Sequence, residues 1–160
     1  MSTEPRIALI LAVLLAAAAC QRPETTPALG ALCRGADVEA PLRLVVDSIR
    51  PTAGAAAADL AGKAYDVTLA FRAGEPREEC AQRTGRVAFE GPLPDALASA
   101  MAADRVGLWR IAGDSVAVDL NPSARDNNLT LVLPMSGGPG HWGWSTFAGE
   151  VLRGRAEERR

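Results

Sequence analysis

The sequence predicts a mainly β domain, with about eight antiparallel strands that form a small barrel or a sandwich, and with one short helix. Three observations carry this prediction. Apolar and polar residues alternate with a period of two through much of the chain, the pattern of strands that are buried on one face. Turn signals rather than regular helices separate these runs, which favours antiparallel pairing. All seven aromatic residues fall within the strand-like runs, as expected if strand faces build the core.

The first half of the domain contains three predicted strands. An apolar run from Leu42 to Ile49 ends before Pro51. The clearest strand covers residues 65–71, where large apolar side chains at odd positions alternate with smaller or polar ones at even positions. A shorter strand with Val87 and Phe89 on its apolar face follows.

The second half contains two predicted hairpins and one strand between them. Residues 108–120 alternate on both sides of Ala112-Gly113-Asp114, a turn signal, and Asn121-Pro122 ends the second strand. A strand with three leucines covers residues 129–133 and ends at Pro134. The closing runs, 141–147 and 150–156, are joined near Ala148-Gly149.

One segment breaks the strand pattern. Leu93-Pro94-Asp95 provides a proline near a helix start and an acidic residue in the first turn, and many alanines follow. With Leu97 and Met101 at i,i+4, this segment predicts a short helix over residues 96–104. The alanine-rich segment 53–64 is compatible with a loop or with one poor helical turn.

The N-terminus has the features of an export signal. Thirteen apolar residues run from Ile7 to Ala19, whereas a helix that crosses the hydrocarbon core needs about twenty, so the run is typical of a signal-peptide h-region. The run closes on Ala17-Ala18-Ala19-Cys20, which resembles the lipobox of bacterial lipoproteins. An ordinary secretory signal that is cut near Ala19 and leaves Cys20 as a plain thiol, or an uncleaved anchor, remains the alternative.

The lipoprotein resemblance implies a lipid anchor. In that family a diacylglyceryl group is attached to the cysteine sulfur, the peptide is cut before the cysteine, and the new amine is acylated, commonly with palmitate. Cys20 would then be the first mature residue, and its acyl chains would hold the protein on a membrane. Gln21 at the next position implies transfer to the outer membrane, facing the periplasm, in Gram-negative members. The expected location is therefore the bacterial cell envelope.

The chain divides into three segments. Residues 1–19 are the predicted signal peptide, and residues 20–31, rich in Pro and Thr, are a flexible tether. Residues 32–160 are a single β-rich domain. The strand order, with one helix near the middle, resembles small lipocalin-type barrels in outline, without a family motif.

Two cysteines remain once Cys20 is lipidated. Cys33 and Cys80 form an even pair in an oxidising compartment, which predicts one disulfide. Two unpaired thiols are the main alternative. A metal or redox pair is disfavoured because neither a CxxC spacing nor clustered histidines are present.

The sequence predicts no catalytic residues, metal site or cofactor. His141 is the only histidine, and Ser136 and Ser145, the candidate nucleophiles, lie outside any GxSxG elbow. The oxygen-rich segment 119–128 lacks EF-hand spacing and predicts a polar turn. The formal net charge of −2 gives no basic surplus for a nucleic-acid partner.

The candidate ligand or partner surface consists of Trp142, Trp144 and His141. The two tryptophans share one strand face at i,i+2 and are flanked by Gly140 and Gly143, an arrangement that can stack on a ligand or simply fill a core. Two classes of function follow: a binding module for a small apolar ligand or an envelope protein, or an interaction or structural module without a ligand pocket. A hollow barrel would favour the ligand, and a filled one a surface role.

Overall fold

The computed structural model describes residues 29–50, 55–124 and 126–159. Its eight strands are β1 (Val38–Ile49), β2 (Ala64–Ala73), β3 (Thr84–Glu90), β4 (Val106–Ala112), β5 (Ser115–Asp119), β6 (Asn127–Pro134), β7 (Gly140–Thr146) and β8 (Gly149–Glu158). Each strand pairs antiparallel with its neighbours in sequence, and β1 also pairs with β8. The predicted antiparallel β fold is confirmed, and of the two architectures left open it is the closed barrel. The predicted signal peptide and the predicted lipidation site at Cys20 lie outside the described residues.

Side chains alternate between the barrel interior and its outer surface. On β1, for example, Leu42, Leu44 and Val46 are buried, whereas Arg43 and Asp47 are exposed. The same alternation on the other strands brings the apolar side chains of all eight strands into one core. The period of two that predicts the strands therefore also predicts which side chains face inward.

Two tryptophans fill the barrel interior by lying over glycines of neighbouring strands. Trp109 of β4 is paired with Gly85 of β3, and its indole Nε1–H donates to the carbonyl oxygen of Arg72 in β2 at 3.0 Å. A Cβ atom at Gly85 would lie 2.7 Å from that indole nitrogen, too close for any other residue type. The edge of Phe71 meets the Trp109 ring at a centroid separation of 6.3 Å.

The second tryptophan, Trp142, repeats this arrangement where β8 pairs with β1. Trp142 of β7 is paired with Gly154 of β8, and its Nε1–H donates to the carbonyl oxygen of Val45 in β1 at 3.0 Å. A Cβ atom at Gly154 would overlap both the indole and that carbonyl oxygen. Each indole thus spans three strands and satisfies its polar atom inside the core.

Both ends of the barrel are closed by buried side chains. At the lower end the 3-10 segment Leu29–Arg34 inserts Leu29 and Leu32, both buried, and Leu29 comes from the end of the predicted tether. A disulfide between Cys33 and Cys80 ties this segment to the β2–β3 loop, with a Cα–Cα distance of 4.6 Å. The predicted disulfide is thus present.

The upper end is covered by two short helices and the loops beside them. Helix α1 (Ala55–Ala58) forms one turn, and helix α2 (Asp95–Ala98) is followed by a non-helical segment that buries Ala100 and Met101. The predicted helix over residues 96–104 is therefore too long. After Ala98 the amides of Ala100 and Met101 bond only three residues back, and the amide of Ala102 donates to the carbonyl oxygen of Leu120 instead of continuing the helical ladder.

One aromatic residue departs from the prediction that strand faces hold all seven. Phe147 lies in the turn between β7 and β8, and 87% of its surface is exposed. The prediction fails there because the turn begins one residue earlier than the apolar pattern indicates.

Candidate functional site

The structure places His141 on the opposite face of β7 from the two tryptophans of the predicted surface. Trp142 faces the interior and is 2% exposed. Of the two roles that the sequence allows for it, ligand stacking and core packing, it has the second. Trp144 also faces inward at the upper end and is half-buried. His141 lies on the outer surface, because neighbouring residues of a strand point to opposite faces.

Trp144 belongs to a polar network that closes the upper end. Its indole Nε1–H donates to Oδ1 of Asn127 at 2.7 Å, and the Asn127 amide donates to the carbonyl oxygen of Ser99 at 2.8 Å. The side chain of Asn121, which is buried, donates to the carbonyl oxygen of Asn127 at 2.9 Å. The indole N–H of Trp144 and the side-chain amides of Asn121 and Asn127 are therefore hydrogen-bonded within the protein, and Trp144 helps to hold the loops together.

Side chains of the described residues fill the barrel interior. The buried side chains of Trp109, Trp142 and Phe71 and a set of leucines occupy it. A depression that borders its lower end, beside Leu29 and Leu133, has a volume of about 20 Å³. A small-molecule site usually needs about 300 Å³ or more, so this space holds at most a water molecule.

Charges on the outer surface of β8, β1 and β2 are paired. Arg155 lies 2.9 Å from Asp47, and Arg153 lies 2.9 Å from Glu150. Weaker pairs at 3.6 to 3.9 Å join Arg43 to Asp66, and Arg72 to Asp37 and Glu39. This half of the barrel surface is a network of exposed ion pairs, whose members compensate one another.

The outer surface of β4, β5 and β6 is different, and we call it the β4–β6 face. Leu108 and Val132, 49% and 45% exposed, are large apolar residues that point outward, and Ala117 lies between them on β5. Together with Arg86, Arg110, Asp119, Thr130 and parts of the strand backbones they line a depression of about 670 Å³. His141 borders the face, because it is paired with Val132 in the sheet.

The two arginines of the β4–β6 face have no carboxylate partner among the described residues. Neither Arg86 nor Arg110 lies within 4.0 Å of a described acidic group, although both are exposed. Asp119, the acidic residue of the face, is engaged locally, since its carboxylate accepts the backbone N–H of Asn121 at 3.0 Å. The face therefore combines exposed aliphatic side chains with two positive charges that are free within the described chain.

A second depression, of about 840 Å³, lies at the upper end between α1 and the loop before α2. Pro92, Pro94 and Tyr65 form its apolar wall, and burial raises the pKa of the Tyr65 phenol above its usual value of 10.0. Its charges balance, because Arg43 and Lys63 are matched by two aspartates, Asp59 and Asp66. This cleft offers no net charge to a ligand, so we regard the β4–β6 face as the better candidate site.

Tyr65 gives a direct test of this environment, because it is the only tyrosine. We expect the ultraviolet titration of tyrosinate in the folded protein to have its midpoint above 10, and in urea to return to about 10. Because the pKa of Tyr65 is higher in the folded than in the unfolded state, its contribution to folding stability is fully present below about pH 10. That contribution is lost as the pH rises through the folded pKa. Tyr65→Phe should remove that part of the alkaline loss. Equal midpoints in the folded and unfolded states would contradict the burial.

The other candidate residues do not form a catalytic or metal site among the described residues. His141 and Ser145 both border a depression on β7, but no hydrogen bond joins their side chains in the described part of the chain. In the residues described, no group of three or more His, Cys, Asp or Glu side chains could hold a metal ion. In the Asn- and Asp-rich region, the Asp119 carboxylate accepts the backbone N–H of Asn121, and the Asn121 side chain donates to the carbonyl oxygen of Asn127.

Comparison of the chain with protein-family models, with curated proteins and with solved structures finds no match. Over the described ranges, no helix has the length and apolar character needed to cross a membrane.

The β4–β6 face was not predicted from the sequence, although the sequence contains a signal for it. Leu108 stands at an outward position of the predicted hairpin, in alternation with Trp109 and Ile111, and Val132 does the same between Leu131 and Leu133. A large apolar residue at an outward position is an exposed one. The absence of acidic partners for Arg86 and Arg110 could not be found in this way, because it depends on the pairing of the strands.

Proposed function

We propose that this protein is a lipid-anchored component of the bacterial envelope that works by binding another protein through the outer surface of its barrel. It is an interaction module rather than a carrier of a small apolar ligand or an enzyme. The observation that carries this proposal is the filled interior, where Trp109 and Trp142 take the volume that a ligand would need.

The closure of the barrel supports a binding mode through side chains. Every strand from β1 to β8 is hydrogen-bonded on both sides, so no edge is free to take up a strand of a partner. A partner must therefore recognise side chains on the outer surface or in the loops. Exposed apolar residues on that surface, such as Leu108 and Val132, are typical of protein contacts.

The anchor and location are proposed from the resemblance of Ala17-Ala18-Ala19-Cys20 to a lipobox, which lies outside the described residues. The disulfide between Cys33 and Cys80 agrees with export to an oxidising compartment. Mass spectrometry of the protein from its own cells should find a diacylglyceryl and acyl modification on Cys20 and no leader. An intact leader or a free thiol at Cys20 would refute the anchor.

The test of the interaction role is a thermal-shift screen with fatty acids, haem and sugars. An interior ligand at about one hundred times its dissociation constant would add about 2.7 kcal/mol of stability and raise the melting temperature by about 10 °C. We expect no such shift with any of these ligands. A shift of that size with a fatty acid or haem would show that the core opens to a ligand, and would overturn the proposal.

A further inference from the structure

We propose that the β4–β6 face binds an acidic protein segment that presents aliphatic side chains to Leu108 and Val132 and carboxylates to Arg86 and Arg110. This inference rests on the proposed function and adds the site and the chemistry of the partner. The segment contacts side chains only, since the sheet has no free edge.

The apolar part of the contact follows from the register of three strands. Ala117 of β5 is paired directly with Val132 of β6, and Leu108 of β4 lies diagonally from Ala117, because Leu108 is paired with Asp119. With strands about 4.8 Å apart, Leu108 and Val132 are separated by roughly two strand spacings. The small side chain of Ala117 leaves a depression between them, and an aliphatic side chain of a partner fits there.

The charged part follows from the position of the two arginines. Arg86 of β3 is paired with Leu108, and Arg110 of β4 is paired with Thr84 and Ala117. Both arginines line the depression, and neither lies within 4.0 Å of a described acidic side chain. Guanidinium groups form bidentate hydrogen bonds with carboxylates, so acidic side chains next to the aliphatic one complement this border.

The strands β8, β1 and β2 carry a different charge pattern. Arg43, Arg72, Arg153 and Arg155 each lie within 4.0 Å of an acidic side chain. A carboxylate that approached β8, β1 or β2 would have to displace such a partner. On the β4–β6 face it would not.

An anionic membrane fits this face less well than a protein. Recognition of acidic lipids usually needs a cluster of four to eight basic residues, roughly, whereas the face has two arginines and also Asp119. A protein segment can place one carboxylate at each arginine and one aliphatic side chain in the depression.

The experiment is site-directed photo-cross-linking of the full chain in the cells that produce it. A photoreactive benzoylphenylalanine replaces Thr130, which is exposed on the β4–β6 face, and in a matched variant it replaces Thr68 on the outer surface of β2. The cross-linked material is purified in detergent, and the attached peptide is identified by mass spectrometry. Melting temperatures verify that each variant is folded.

We expect the Thr130 variant to cross-link to a protein, at a segment that contains Asp or Glu next to Leu, Ile or Val, and the Thr68 variant to give no such product. Adding Arg86→Glu and Arg110→Glu should lower the yield about tenfold or more, because like charges then face one another. The matched control, Arg153→Glu with Arg155→Glu, makes the same change of charge on the paired half of the barrel and should leave the yield unchanged. High salt should lower the yield in the unmodified background.

The possible outcomes separate this inference from the proposed function. Protein cross-links at Thr68 but not at Thr130 would overturn the β4–β6 face and leave a surface interaction in place. The acidic partner would be overturned by a cross-link to a lipid, to a basic segment or to a second copy of this chain. It would also be overturned by a cross-linking yield that does not change when Arg86 and Arg110 are replaced. No protein adduct at either position would overturn the face and count against the proposed function as well.

Discussion

Replacing Trp142 by alanine is expected to lower the free energy of unfolding by about 3 to 5 kcal/mol. The indole is 2% exposed, fills the interior between β7 and β1, and donates its hydrogen bond to the carbonyl oxygen of Val45. Its removal leaves both a cavity and a carbonyl without that donor. Since domains of this size are stable by roughly 5 to 15 kcal/mol, the variant should fold with a small margin. Urea unfolding followed by circular dichroism measures the loss.

Phe147 provides a matched control for this substitution. It is also aromatic, but it is 87% exposed in the turn after β7, so Phe147→Ala should change stability by no more than about 0.5 kcal/mol. Added indole should raise the melting temperature of the Trp142→Ala protein and leave that of the parent unchanged, because only the variant has the empty volume. A loss below about 1 kcal/mol for Trp142→Ala would contradict the packed interior.

The same contact can be tested from the glycine beneath the ring. Gly154→Ala introduces a Cβ atom that overlaps the Trp142 indole, whereas Gly30→Ala, with no atom within 4 Å of the new carbon, is its control. Overpacking of this kind costs about 1 to 3 kcal/mol. In the double variant Trp142→Ala/Gly154→Ala the two losses should not add, because part of the overlap at Gly154 is with the removed ring.

The strands were predictable because their signal is local. Alternation along 65–71 or 129–133 is a property of neighbouring residues, and it gives both the extended conformation and the face that is buried. Turns at Gly113-Asp114 and Ala148-Gly149 gave the antiparallel order for the same reason. The pairing of β1 with β8 involves residues more than one hundred positions apart, so the sequence left barrel and sandwich open.

The errors arose where a local pattern competes with tertiary contacts. The alanines after Asp95 favour a helix through residue 104, but the helix stops at Ala98 and the amide of Ala102 bonds to Leu120, a contact that no local pattern contains. The strand pattern extends through Phe147, although the chain turns there. In both cases the element exists, and its end is what the sequence could not give.

In the candidate site, too, local features could be predicted from the sequence and features that depend on strand pairing could not. Alternation on β7 already implies that His141 and Trp142 point to opposite faces, so a surface containing both was not compatible with a regular strand. The β4–β6 face could have been found from Leu108 and Val132 at outward positions. That Arg86 and Arg110 lack acidic partners depends on which strands become neighbours, and that is fixed only by the closed sheet.

Removing the disulfide is expected to lower the free energy of unfolding by about 4 kcal/mol, as the chain-entropy model gives for a loop of this length. The bond joins Cys33 to Cys80, which are 47 positions apart, and it holds the segment Leu29–Arg34 against the lower end of the barrel. The double substitution Cys33→Ala/Cys80→Ala, measured by urea unfolding without reductant, gives the loss. Reductant should destabilise the parent by a similar amount and leave the double variant unchanged.

The loss should be concentrated first at the lower end of the barrel. Leu29 and Leu32 are buried there by a segment that the disulfide ties to the β2–β3 loop, while the strands of the barrel keep their ladder without it. In hydrogen exchange, the amides of Gly35 and Ala36, which bond within this segment, should therefore lose protection before those of β6 and β7. Equal loss of protection throughout the barrel would show instead that the disulfide stabilises only against global unfolding.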